Sequence, residues 1–171
     1  MLVDFGMRRC AIVACGLGLT VGAAAAGHRI AANGVQVVVP AGWHRVAAAG
    51  EAHIVDPKTV LVVGTAGVHA RLVPCQIAAY RIPPRGAAVV VVRWRTETSG
   101  GGSNLPHART VLRRLRLNHG GFECWPGHLG GAVDLALAGH AYQVNVMIGD
   151  RATRRTVAQA LAVVSSFDLR R

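Results

Sequence analysis

The densest group of side chains able to do chemistry lies in the stretch His119-Gly120-Gly121-Phe122-Glu123-Cys124-Trp125-Pro126-Gly127-His128. Two imidazoles, a thiol and a carboxylate could ligate a transition metal, and zinc takes about four such ligands in tetrahedral geometry. The spacing His-x4-Cys-x3-His, however, has no second cysteine nearby and follows no established zinc pattern. A Cys124 held in a disulfide would ligate nothing, and the stretch would then be a pinned loop with Trp125 packed on it. The expectation is a disulfide loop, with no metal and no cofactor.

Nucleophilic catalysis finds little support. Ser103 sits in Gly101-Gly102-Ser103-Asn104-Leu105, which lacks the final glycine of a G-x-S-x-G elbow and follows no strand-to-helix turn. Cys75 could act as a thiolate only with a basic neighbour and without a disulfide partner. The carboxylates are scattered, the histidines form neither His-x-His nor His-x-x-x-His, and no phosphate-cradling glycine loop follows the leader. The chain therefore reads as a non-enzyme. The alternative is a small secreted hydrolase or metal-dependent enzyme whose groups converge only in the fold.

Positive charge is the more informative feature. The chain of 171 residues has 19 Lys and Arg against 8 Asp and Glu, a formal net charge of +11, and Lys58 is its one lysine. Arg109, Arg113, Arg114 and Arg116 form one cluster, and Arg151, Arg154 and Arg155 another at the start of an expected helix. Cations at a helix N-terminus oppose the macrodipole, so a bound phosphate or carboxylate would relieve both clusters if they met. A solvated basic face is the competing reading, because an Ala, Gly, Val and Arg bias also follows from G+C-rich codons.

The elements that must position these residues follow from periodicity. Val35, Val37 and Val39 alternate on one strand face, which Pro40-Ala41-Gly42 ends by turn chemistry. Thr59 to Val63, bounded by Gly64, and the valine-rich run Ala87 to Val92 read as strands covered on both faces. A two-residue turn at Gly139-His140 would set Leu137 opposite Tyr142, Leu135 opposite Val144 and Val133 opposite Val146. The reverse face would then pair Asp134 with Asn145 and Ala136 with Gln143. Asp150 should cap a helix from about Arg151 to Ser165, whose Val157, Leu161 and Val164 face the sheet. These elements predict an α+β fold: a single domain, mainly antiparallel sheet, with a C-terminal helix packed on it. No repeat or heptad is present, and Thr96 to Pro106 is a loop too short to separate a pair of domains.

The strand and turn Val35-x-Val37-Val38-x-Pro40-x-Gly42-Trp43, with the closing Ser165-Ser166-Phe167, resembles small secreted domains of unknown function from G+C-rich bacteria. More distantly it resembles the PsbP-like fold, an antiparallel sheet flanked by helices. The resemblance covers about a fifth of the chain. Val stands where an aromatic residue is usual in the first strand, and no helix is evident between the early strands. It implies fold class and export, and carries no catalytic residue.

Arg8 and Arg9, an uncharged apolar run from Ala11 and the small residues Ala24-Ala25-Ala26 make residues 1–26 a signal peptide, with the α+β domain from 27 to 171. A retained N-terminal anchor is the alternative. An acylated Cys15 would leave too short an apolar stretch after Arg9, and the flanking motif of twin-arginine export is missing. Losing the leader removes Cys10 and Cys15 and leaves Cys75 and Cys124 as a pair for one disulfide in an oxidising compartment. A secreted cation without a nucleic-acid-binding module points away from nucleic acid. It points toward an anionic component of the cell envelope, or a small anion, bound by a mature chain without a membrane span.

Overall fold

The computed structural model describes residues 27–49, 56–96, 104–119 and 124–170. The expected leader, Ser103 and Glu123 lie outside them.

The chain begins with a hairpin, β1 (His28–Ala32) and β2 (Val35–Val39), joined through Asn33 and Gly34 at φ 47° and 83°. Both turn residues take the left-handed conformation that a two-residue hairpin turn requires, and Asn-Gly is the pair that adopts it most readily. Val35, Val37 and Val39 are fully buried, as their alternation predicts. Trp43 opens β3 (Trp43–Arg45) after the expected turn, its amide donating to the Pro40 carbonyl at 3.2 Å.

The main sheet is antiparallel throughout, in the order β3, β4 (Lys58–Thr65), β7 (Ala87–Arg93), β9 (His140–Ile148), β8 (Gly130–Leu137). Central β7 is buried from Ala87 to Val92 on both faces. Ala87, Val89 and Val91 join a first core beneath the C-terminal helix α1 (Arg154–Ser165), whereas Ala88, Val90 and Val92 join a second core on the reverse face. A register shift between Thr59 and Leu61 lets Val60 and Leu61 enter the first core together. Strand β4 runs through Gly64 instead of stopping there. A Cβ on Gly64 would come within 2.9 Å of Val68, so that residue marks close packing.

The β8–β9 turn is Ala138-Gly139, at φ 49° and 75°, in place of Gly139-His140. The resulting register sets Leu135 opposite Tyr142, Val133 opposite Val144 and Asp134 opposite Gln143. This displaces the expected pairing by two residues. An even displacement leaves every side chain on its expected face, so the apolar and polar faces survive the change.

Helix α1 starts at Arg154, later than expected. Its N-cap is Thr153, whose Oγ1 accepts from the Thr156 amide at 3.1 Å. The Arg151 amide donates to the Pro84 carbonyl at 2.7 Å and the Gly149 amide to Gly86 at 2.9 Å. These bonds hold residues 149–151 against the turn before β7, so the helix cannot begin there and Asp150 is not its cap. Val164 is buried and Val157 and Leu161 pack on the core, joined by buried Ala160 and Val163. Beyond the helix, Phe167 fills the first core and β10 (Asp168–Leu169) pairs with β2.

A 3-10 helix, Arg109–Arg114, was not expected; it packs its buried Leu112 against the first core beside α1. On the reverse face, β5 (His69–Ala70) pairs with β6 (Tyr80–Arg81). Val68, Ala78, Ala79, Tyr80 and Trp125 cover the sheet there, stapled by the Cys75–Cys124 disulfide with Cα atoms 6.3 Å apart. The fold is thus α+β, mainly antiparallel sheet with a C-terminal helix on it. No helix among the described residues is long and apolar enough to cross a membrane.

Candidate anion-binding clefts

The cysteines behave as expected, which removes two chemistries. Cys75 and Cys124 are disulfide-bonded, so neither can attack a substrate or ligate a metal. His119 is exposed, its Nδ1 3.4 Å from the Gly127 carbonyl, and His128 turns to a different partner. Among the described residues no group of three or more His, Cys, Asp or Glu could hold a metal ion.

The two arginine clusters are exposed throughout. Arg109 forms an ion pair with Asp168 at 2.5 Å, beyond the C-terminal end of α1, whereas Arg154 and Arg155 open that helix. Twelve helical residues rise about 18 Å, so Arg109 stands a helix length from that pair. Arg113 and Arg114 close the 3-10 helix and Arg116 follows it, while Arg151 lies in the turn before α1. These residues line neither of two basic clefts near the ends of β9.

The first cleft lies at the end of the main sheet where β7 leaves and β9 enters. Its cavity of about 230 Å³ is lined by Asp56, Lys58, Arg93, Arg95 and His140. Lys58 is the first residue of β4 and Arg93 the last of β7, and the register sets them directly opposite. Like charges facing each other across a ladder are destabilising by a few tenths of a kcal/mol to about 1 kcal/mol. The chain then turns outward. Asp56 fixes this turn by accepting the Arg95 amide at 3.1 Å, and the His140 Nδ1 lies 2.6 Å from the Arg95 carbonyl. A carbonyl only accepts, so Nδ1 carries the proton; Nε2 then accepts from a protonated ligand oxygen, and donates to an anion only when the ring is doubly protonated. Among the described residues, three basic side chains and an imidazole thus surround one carboxylate, an arrangement that can hold a small anion by charge-assisted hydrogen bonds.

A second cleft, of about 200 Å³, lies near the opposite end of β9. Arg71, Tyr80, Arg81, Trp125, His128 and Asp150 line it, with Ile82, Pro84 and Gly149. Left-handed backbone at Cys124 (φ 60°) and Gly127 (φ 75°) folds the disulfide loop so that Trp125 and His128 rings lie 4.5 Å apart. The His128 Nδ1 is 2.8 Å from Asp150 Oδ1, which orients the imidazole as a carboxylate orients a general base. Among the described residues lining the cleft none is Ser, Thr or Cys. The Tyr80 hydroxyl accepts the Ala49 amide at 2.8 Å; burial pushes its pKa up, against the effect of that bond, so it stays protonated. The described residues of the cleft can therefore bind and orient a ligand.

Neither cleft could be read from the sequence. Lys58 and Arg93 meet through register, and His128 and Asp150 are 22 residues apart, with Asp150 displaced from the capping role its position suggests. No protein-family model and no curated protein matches the chain.

Proposed function

We propose that the protein is an exported, non-enzymatic binding or accessory domain of the cell envelope. It holds a small anionic group, a phosphate or carboxylate, between Lys58, Arg93, Arg95 and His140. One observation carries the reading: the β4–β7 ladder sets Lys58 and Arg93 opposite each other, so an anion entering between them would relieve their repulsion. Asp56 is the one acidic residue among the described residues of the lining. Its Oδ1 accepts a backbone amide, and its charge offsets only a fraction of the positive total. The exposed Arg113, Arg114, Arg116, Arg151, Arg154 and Arg155 extend the same preference over the surface and attract anions at longer range.

Thermal unfolding in inorganic phosphate tests the proposal. A ligand at a hundred times its Kd stabilises by about 2.7 kcal/mol, so phosphate should raise Tm in a saturable way. The Lys58→Gln/Arg93→Gln variant should melt higher than the parent in phosphate-free buffer, since the repulsion is gone, and should lose the phosphate response. An equal response in parent and variant would place the anion elsewhere and sink the proposal.

A further inference from the structure

Leu72 is fully solvent-exposed, at the tip of the loop Arg71-Leu72-Val73-Pro74 between β5 and β6. An apolar side chain held in water is commonplace on a mobile loop, but this loop is tied down at several points. The Arg71 amide donates to the Ala79 carbonyl at 2.8 Å, the Cys75 amide to Val73 at 2.7 Å, and Cys75 is bonded to Cys124. Val73 packs against the second core, so the backbone that presents Leu72 is anchored from below. Pro74 narrows its freedom further.

The surroundings of the tip are basic. Arg71 precedes Leu72, and Arg81, on the neighbouring strand opposite His69, lines the same cleft as Arg71. Neither guanidinium has an ion-pair partner among the described residues. Asp150, the acidic residue among the described residues lining that cleft, is engaged by His128. An apolar tip with cations just behind it is suited to the boundary of an anionic bilayer, where the leucine enters the acyl region and the arginines meet headgroup phosphates. We infer that the Leu72 loop is a membrane-docking tip for an anionic lipid surface, with Arg71 and Arg81 as its phosphate contacts. This site is separate from the Lys58 and Arg93 cleft, and either could fail without the other.

Because a protein this basic adsorbs to any anionic surface, the test must report which face touches lipid. Leu72→Trp and, as a control at the other exposed large apolar residue among the described residues, Val38→Trp are mixed with vesicles of phosphatidylcholine alone or with phosphatidylglycerol. Leu72→Trp emission should shift to the blue only with phosphatidylglycerol, and Val38→Trp emission should stay unchanged. In flotation assays Leu72→Ser should bind these vesicles about tenfold more weakly, equivalent to about 1.4 kcal/mol. Arg71→Gln and Arg81→Gln should each lose about fivefold. Equal blue shifts at both tryptophans, or unchanged affinity of Leu72→Ser, would mean nonspecific adsorption and overturn the inference. So would absence of binding, or release of bound protein by millimolar inorganic phosphate at constant ionic strength, since a free anion would then be the ligand.

Discussion

Replacing both cysteines by alanine should cost this protein a large share of its stability, and the cost follows from the chain separation alone. Cys75 and Cys124 are 49 residues apart. Closing a loop of this size in the unfolded chain removes entropy worth about 4 kcal/mol at 25 °C in the chain-entropy model. Cys75 is also buried in the second core, so its replacement adds a small packing loss. Total stabilities of natural domains are about 5–15 kcal/mol, which makes this a shift of about 10 °C in Tm for a chain of this length. Urea unfolding followed by tryptophan emission is the assay, since Trp125 adjoins Cys124 and reports the stapled layer. The variant's m-value should rise, because an unstapled denatured chain exposes more surface. A loss below about 1 kcal/mol with an unchanged m-value would refute the argument that the staple acts on the unfolded state.

Five further substitutions test the packing and the polar face. Burial raises the pKa of Asp134 above its ordinary 3.8, against a lowering hydrogen bond from Gln143. The folded state therefore keeps this proton to higher pH than the unfolded chain, and stability falls as pH rises through that window. Asp134→Asn should raise Tm at pH 7, with the gain vanishing near pH 3; a gain that grew on acidification would contradict this. Gly149→Ala would drive its Cβ into the carbonyl oxygens of Pro83 and Pro84, so it should cost about 3 kcal/mol in urea unfolding. Gly139→Ala, with open space but φ 75°, should cost about 1 kcal/mol from backbone strain. Thr153→Ala should destabilise by about 1 kcal/mol in the same assay, and Asp150→Ala should leave stability nearly unchanged; the reverse order would restore Asp150 as the cap.

Where apolar periodicity alone decides structure, the sequence was legible. The valines of β2 occupy the face their spacing dictates because a slipped strand would expose all of them at once, and the unbroken apolar run of β7 is buried on both faces. The β8–β9 turn was displaced because Ala138 takes a left-handed conformation that alanine seldom adopts, leaving Gly139 the only visible turn signal. The opening hairpin did carry a readable signal in Asn33-Gly34, although β1 is only weakly apolar. The helix start was obscured by long-range bonds from Gly149 and Arg151 to the Pro84–Gly86 turn, which no local rule contains. The clefts were hidden for the same reason. Charge clusters visible in the sequence are runs along the chain, whereas the clefts assemble cations from strands brought together by register.

The two proposed contacts have a geometric relation that makes each informative about the other. His140 begins β9 and lines one cleft, and Gly149 and Asp150, just beyond its end, line the other. Nine extended residues span about 30 Å, so one small ligand cannot bridge the clefts. That distance is also about four Debye lengths at physiological salt. If the Leu72 tip rests on a bilayer, Lys58 and Arg93 lie beyond the effective reach of its surface charge. The anion held between them would then come from solution or from another envelope component, rather than from the lipid that the tip contacts. Vesicle binding should accordingly survive Lys58→Gln/Arg93→Gln with the Leu72→Trp blue shift intact, and the phosphate response of Tm should survive Leu72→Ser. Loss of both functions in either variant would mean that they share one site, and the division of the molecule into a docking end and a ligand end would fail.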